Sequence, residues 1–348
     1  MALPRFPRPG AHRRAESAVV DPPVLTNLPA LSDPAAVADP AVADPAAVAD
    51  VPVAIESAGT LLRQRWAPIV VDRAVTPFDP RPVKRPPYRP DTIVDAWSTG
   101  HFIVRLASVR GYAHRYYGTP RQDDVVAAVH QATGSVVFAV ADGVSSAERA
   151  EVGAEHACRT AMDGMLAALD ADPTGIDWTR MVESVAARLI DRAAAATDPA
   201  DDPYQQARRL YATTLVAGLA RPTPGGLTAT LIQVGDSGAW LLDCGRYVNI
   251  LRRKSDPDAA VVQSTVSALP QMPARIHPVT VALSPGVALL VGTDGFGDPL
   301  GDGDGMVGDL FREALASPPP PLGLAHALDF SRETFDDDRT LLVVWPLS

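Results

Sequence analysis

A chain of 348 residues with 47% apolar side chains has room for one large or two ordinary domains and can bury a substantial core. Its 41 acidic against 31 basic residues leave a formal charge of -10, a field that repels phosphate backbones and sets nucleic acid aside as a main partner. The two cysteines, Cys158 and Cys244, have no CxxC or metal-ligand spacing, so they read as small core residues in a reducing compartment rather than as a disulfide framework.

The first twenty residues carry Arg5, Arg8, Arg13 and Arg14, interrupted by Pro4, Pro7 and Pro9, with no apolar stretch of signal-peptide length. No uncharged apolar run approaches the roughly 20 residues of a membrane span, so the sequence reads as cytoplasmic and without a membrane partner. Half of the 34 prolines precede Ala96, and residues 33 to 51 repeat a unit like Asp33-Pro34-Ala35-Ala36-Val37-Ala38. Proline removes backbone donors and fixes φ, so residues 1–94 are expected to be a disordered tail and linker. Within it Leu61, Leu62, Trp66, Ile69 and Val70 form an apolar island suited to docking. Pro77 to Pro90, with Arg81, Lys84, Arg85 and Arg89, has the composition of a stiff basic linker.

A folded domain is expected over residues 95–348, where the texture turns α+β. Two helical stretches stand out, Glu148 to Leu169 and Thr179 to Ala196, the second with Val182, Val185, Leu189 and Ala193 recurring every three or four residues. Leu215 to Leu219, Leu227 to Val234, Ala239 to Leu242, Val279 to Leu283, Val287 to Val291 and Leu341 to Trp345 read as strands. The short turns Gly235 to Gly238 and Ser284-Pro285-Gly286 predict antiparallel pairing of the strands they join.

Aspartates sit where those strands begin or end. Val136 to Ala141 runs into Asp142-Gly143, Val287 to Val291 into Gly292-Thr293-Asp294-Gly295, and Leu231 to Val234 into Gly235-Asp236. Asp123-Asp124 precedes Val125 to Val129, and Asp337-Asp338 precedes Leu341 to Trp345. Antiparallel strands alternate direction, so exits and entrances share one edge and five acidic positions converge on one rim. Carboxylates gathered without counter-charge resist ionising, whereas hard divalent cations prefer several oxygen ligands. The pattern therefore points to Mg²⁺ or Mn²⁺, with the glycine after Asp142 and after Asp294 allowing a tight bend. A single Asp-Gly is ordinarily a turn; the ordered recurrence carries the inference.

In order, the chain gives Gln122-Asp123, Val140-Ala141-Asp142-Gly143, Ala212-Thr213-Thr214, Val234-Gly235-Asp236-Ser237, Gly292-Thr293-Asp294-Gly295 with Asp298, and Asp337-Asp338-Arg339-Thr340. Over residues 100 to 348 this series resembles the type 2C, or PPM, family of metal-dependent protein serine/threonine phosphatases. The resemblance implies an αββα sandwich of two antiparallel sheets flanked by helix pairs, with two or three Mg²⁺ or Mn²⁺ ions at one end. It makes Asp142 the bridging carboxylate, with the Gly143 carbonyl in support, and Asp294 and Asp337 ligands of the first metal. Asp123 matches the early acidic position near the second metal, with Asp124 as the competing alignment; Asp236 and Asp298 match a third-metal position.

The implied reaction is one-step hydrolysis of phosphoserine or phosphothreonine on a protein, by water activated between two metals, opposing a serine/threonine kinase. The sequence departs from the family where a phosphate-binding arginine usually precedes the early acidic pair: His114-Arg115-Tyr116-Tyr117-Gly118-Thr119-Pro120-Arg121 offers Arg115, Arg121 or His114 instead, with Arg115 favoured and a solvated surface charge the bland reading of Arg121. His114 is also the candidate general acid. Gly238 stands where the family has a further arginine. A catalytically inactive fold acting as a regulatory binding protein is the alternative reading, and a phosphatase dedicated to anti-sigma-factor antagonists is a third.

Overall fold

The computed structural model describes residues 66–83, 90–251 and 268–347. The repeat at 33 to 51, Leu61, Leu62, Lys84, Arg85 and Arg89 lie outside them. Eleven strands and seven helices are present among the described residues. The strands are β1 (Thr92–Ser98), β2 (Phe102–Val109), β3 (Asp124–His130), β4 (Ser135–Ala141), β5 (Leu215–Thr223), β6 (Gly226–Val234), β7 (Gly238–Asp243), β8 (Arg246–Asn249), β9 (Val279–Leu283), β10 (Val287–Gly292) and β11 (Arg339–Pro346). The helices are α1 (Tyr112–Tyr117), α2 (Ala150–Ala171), α3 (Trp178–Ala194), α4 (Pro203–Tyr211), α5 (Asp294–Leu300), α6 (Met306–Ala314) and α7 (Pro321–Leu328). Among the described residues no helix is long and apolar enough to cross a membrane.

Two antiparallel sheets form, one ordered β1-β2-β11-β10-β7-β8 and the other β3-β4-β5-β6-β9. Strand periodicity divides the core into three layers. On β4, Val136, Phe138 and Val140 meet Leu289, Val291, Leu342 and Val344 between the sheets. The alternate residues Val137, Ala139 and Ala141 pack against Ala154, Cys158 and Met165 of α2 and, with them, Val185 and Leu189 of α3. Across the molecule, Leu290, Leu341 and Val343 cover Phe296, Phe311, Leu324 and Phe330 beneath α5 to α7. The result is the αββα sandwich. Helix α3 begins where the Asp177 side chain accepts from Arg180 N at 3.0 Å, and α4 where Asp202 accepts from Tyr204 N ahead of Pro203.

Two of the expected pairings are corrected. β6 and β7 belong to different sheets, as do β9 and β10, so Gly235 to Gly238 and Ser284 to Gly286 cross between layers. Gly235 makes the first crossing at φ +97, where a Cβ would stand 2.6 Å from Thr214 Cγ2. At Gly235 to Gly238 the cores that receive Ile232 on one side and Trp240 on the other outweigh the local hairpin signal. Cys158 is buried as expected, but Cys244 is exposed in the β7–β8 turn at φ 46. Trp66–Val83, grouped with the tail and linker in the sequence, runs along the domain: Val70 bridges Ser331 and Val71 is buried.

Candidate metal centre

Asp142 leaves β4 with its main chain fixed by the turn entering β5. Thr213 Oγ1 donates to the Asp142 carbonyl at 2.9 Å and Thr214 N donates to the same oxygen at 2.8 Å. Thr214 Oγ1 accepts from Asp142 N at 3.0 Å and lies 2.8 Å from Ser237 Oγ, next to Asp236. Threonines that anchor the strand end by hydroxyl and amide thus tie the crossing turn of β6 to Asp142. Gly143 follows because α2 begins close behind it: a Cβ there would meet the Ala150 carbonyl oxygen at 2.5 Å.

Asp294 opens α5 just past β10. One carboxylate oxygen each from Asp142, Asp236 and Asp294 lie within 4.8 Å of one another. His114, Asp337 and Asp338 form a second such group. Asp123 feels the charge of both, acting on Asp142 of the first and acted on by Asp337 and Asp338 of the second. Its carboxylate is buried, accepts from Thr293 Oγ1 at 2.7 Å and lies 2.7 Å from Thr340 Oγ1. Asp124 turns away, its carboxylate accepting from Val125 N and lying 4.0 Å from Arg121 Nη1, so strand alternation selects Asp123 for the cluster.

The cluster's electrostatics follow from this crowding. Burial, then Asp123, Asp294 and Asp337, push the Asp142 carboxyl well above the usual range. Burial, Asp338 and Asp337 do the same to Asp123 against its two threonine hydroxyls. Asp337, whose side chain is open to solvent on one side, is pushed up to about 6 by burial and by Asp338, with His114 opposing. Asp338 is different: burial would raise it, but His114 and the N–H groups of Gln122 and Gly111 hold it below the usual range. His114 is raised to about 9; burial would lower it, and Asp338, Asp337 and Asp123 override that. The neighbours that move Asp142 are carboxylates throughout. That all-oxygen, uniformly negative donor set fits a hard divalent cation.

Of the residues singled out in the sequence, Asp123, Asp142, Asp236, Asp294, Asp337 and His114 are brought together, with Gly143 adjoining Asp142. Asp298 lies one turn beyond Asp294 on α5, exposed and in neither close group. Arg115 is directed elsewhere, 2.7 Å from Asp329 Oδ1, 3.7 Å from Asp91 Oδ2 and over the Tyr112 ring. Arg121, a candidate phosphate cation or else a surface charge, is buried and donates to Ser108 Oγ at 2.7 Å and to the Asp123 carbonyl. The buried counter-charge Asp338 and the hydroxyls of Thr293 and Thr340 had no role in the sequence reading. The doubled Asp337-Asp338 ahead of a strand was the available signal, since neighbouring strand residues face opposite ways.

An αββα sandwich with carboxylates gathered where strands of both sheets end is the architecture of metal-dependent phosphatases. Residues 110–323 match the family model for Protein phosphatase 2C, and the chain belongs to that family. Solved structures similar to it include RsbX in complex with magnesium, 13% identical with a TM-score of 0.47, covering 73% of this chain and 100% of that one. The catalytic domain of the serine/threonine phosphatase PstP with two manganese ions is 20% identical, TM-score 0.47, covering 71% of this chain and 99% of that one. PppA of Pseudomonas aeruginosa is 21% identical, TM-score 0.46, covering 73% and 100%. No curated protein matches the chain by sequence.

Proposed function

We propose that this protein hydrolyses phosphoserine and phosphothreonine on proteins, using Mg²⁺ or Mn²⁺ held by Asp142, Asp236 and Asp294 together with Asp123 and Asp337. The observation that carries this reading is the convergence of Asp142, Asp236 and Asp294 oxygens within 4.8 Å in a field of further carboxylates. When bound, such ions lower the pKa of water and offset charge on the phosphoryl oxygens. The Gly143 carbonyl supports the same site, and Asp298 serves a third ion.

The chain's own residues supply the rest. Thr213 and Thr214 hold the Asp142 main chain, and Thr293 and Thr340 orient Asp123, so two donors arrive pre-positioned. His114, kept charged at neutral pH by Asp338, takes over the phosphate-gripping role of the missing arginine, Arg115 being engaged with Asp329. The substrate is a phosphoprotein made by a serine/threonine kinase, met in the cytoplasm by a domain that spans residues 95–348 and takes in the Trp66–Val83 segment and the start of β1 at Thr92. The regulatory-module alternative draws on the same engagement of Arg115; the intact donor set favours the enzyme.

The test uses the full chain with p-nitrophenyl phosphate and a phosphothreonine peptide, in Mn²⁺, Mg²⁺ or EDTA, against Asp142→Asn. Turnover that requires metal, and is lost in Asp142→Asn along with the Mn²⁺-induced rise in Tm, is expected. A folded wild-type protein that gains Tm with Mn²⁺ but turns nothing over would establish the binding module instead.

A further inference from the structure

Helix α1 carries His114 yet has little of its own to hold it. It is six residues long, has no buried residue and no side-chain N-cap, and helices this short do not persist in water by themselves. Apart from Arg115 and the Tyr112 hydroxyl, which reach Asp329 at the end of α7 at 2.7 and 3.4 Å, its contacts come from two places. Toward the cluster, Ala113 N donates to the Asp336 carbonyl at 2.9 Å and Gly111 N to Asp338 Oδ1 at 2.6 Å. On its other side lies the Trp66–Val83 strap. Phe78 packs edge-on against Tyr112 and Tyr116, with centroids 6.4 and 5.4 Å away. Arg81 N donates to the Arg115 carbonyl at 2.9 Å, and the Arg81 guanidinium stands 4.8 Å over the Tyr116 ring.

Arg110, almost wholly buried, knots these parts together. Its Nη2 donates to the carbonyls of Arg81 at 3.1 Å and His114 at 2.9 Å, and its Nη1 to Asp91 Oδ1 at 2.9 Å. The first half of the strap grips the loop that leads into Asp337. Val71 N donates to the Ser331 carbonyl and Ser331 N to the Ile69 carbonyl, at 3.0 and 2.7 Å; Val75 N donates to Ser331 Oγ at 2.8 Å, and Glu333 N to the Arg73 carbonyl at 2.8 Å. Val71 itself enters the core beside Val109 and Phe330. One extended segment therefore touches both pieces of backbone that present the His114–Asp337–Asp338 group. It lies wholly before residue 110, where the family match begins.

We propose that the Trp66–Val83 strap is a positioning element of the phosphatase site, holding α1 against the 331–336 loop so that His114 stays seated on Asp338. It acts through α1 and touches no reacting group. The kinetic part of this proposal rests on the phosphatase reading; the structural part does not.

The experiment is hydrogen exchange on the full chain, wild type against Phe78→Ala, Phe78→Tyr and Val71→Asp, with kcat and KM for p-nitrophenyl phosphate measured in Mn²⁺. In Phe78→Ala the amides of Ala113, Arg115 and Gly118 are expected to exchange about tenfold faster, the amides of β4 and β5 to keep their rates, and kcat/KM to fall about tenfold with the Mn²⁺ thermal shift retained. Phe78→Tyr restores both. If Val71→Asp frees the Val71 and Val75 amides while α1 stays protected, the proposal is wrong. Loosened α1 with unchanged kcat/KM also overturns it, since the strap would then be only a cover. Should Val71→Asp loosen the sheets too, Phe78→Ala, whose contacts lie outside the core, decides. A wild type without turnover in which Phe78→Ala still loosens α1 sinks the phosphatase reading and leaves the structural assignment standing.

Discussion

Replacing Asp338 with alanine tests how the acidic end is held. The carboxylate is 1% exposed and accepts from Gly111 N at 2.6 Å and Gln122 N at 2.5 Å; His114 Nδ1 stands 2.8 Å away as an ion-pair contact without hydrogen-bond alignment. Asp338→Ala strands two buried N–H groups, each costing about 1–3 kcal/mol, and leaves a buried imidazolium without its partner. Breaking a buried pair from one side costs about 3–5 kcal/mol in comparable cases, and we expect a loss in that range. For a folded unit of this size that is a fall in Tm of about 6–20 °C, read by circular dichroism in EDTA. The pH dependence has a definite sign. Asp338, held below its ordinary range, contributes stability above about pH 4 that is lost as pH falls through its folded pKa. His114, raised to about 9, contributes stability fully present below about pH 6.5 and lost as pH rises through 9. The deficit of Asp338→Ala is therefore largest between about pH 4 and 6.5 and shrinks toward pH 9. A shift under about 2 °C at pH 6 would mean that water satisfies both amides and that the pair holds nothing in place.

Binding of Mn²⁺ should weaken as pH falls through 6, because Asp337 at about 6 and the raised carboxyls of Asp142 and Asp123 must shed protons to ligate. Calorimetric titration at pH 7.5 and 5.5 in two buffers reads both the affinity and the proton release; equal affinity at the two values would contradict the assigned protonation states. Gly143→Ala puts a Cβ 2.5 Å from the Ala150 carbonyl oxygen, whereas Gly100→Ala meets nothing within 4 Å. Urea unfolding should show a loss of about 1–3 kcal/mol for the first and almost none for the second.

What was legible in the sequence was what short-range periodicity and charge encode. The α2 and α3 stripes and the apolar runs of β4, β10 and β11 announce themselves because burial on one or both faces leaves a period in the residues. The aspartates were legible for a related reason: each sits at a strand terminus, where a period stops. What was hidden depends on distant partners. No local feature tells a hairpin at Gly235 to Gly238 from a crossing between layers, because the choice is made by which core receives Ile232 and which receives Trp240. Strands β1, β2 and β8 are not among those the sequence announces. Helices α1, α5 and α7 are too short to show a stripe, and α5 carries Pro299. Arg115 and His114 are adjacent in sequence, and only Asp329 on one side and Asp338 on the other separate their roles. Arg121 reads as a surface charge until Ser108 and the Asp123 carbonyl are seen to enclose it.

The place of β11 bears on how this domain is made. It is the last strand in chain order, yet it lies between β2 and β10, pairing with both. During synthesis β2 emerges more than two hundred residues before the strand that joins it to β10, so the β1-β2 pair and the β10-β7-β8 group each keep an open edge until β11 is made. The five-stranded sheet closes sooner, with neighbours β3 to β6 taken in order. Asp337 and Asp338 arrive on the same final segment. The acidic end is thus assembled in the step that joins the two parts of the six-stranded sheet, and a chain released before it would carry Asp123, Asp142, Asp236 and Asp294 without Asp337 and Asp338.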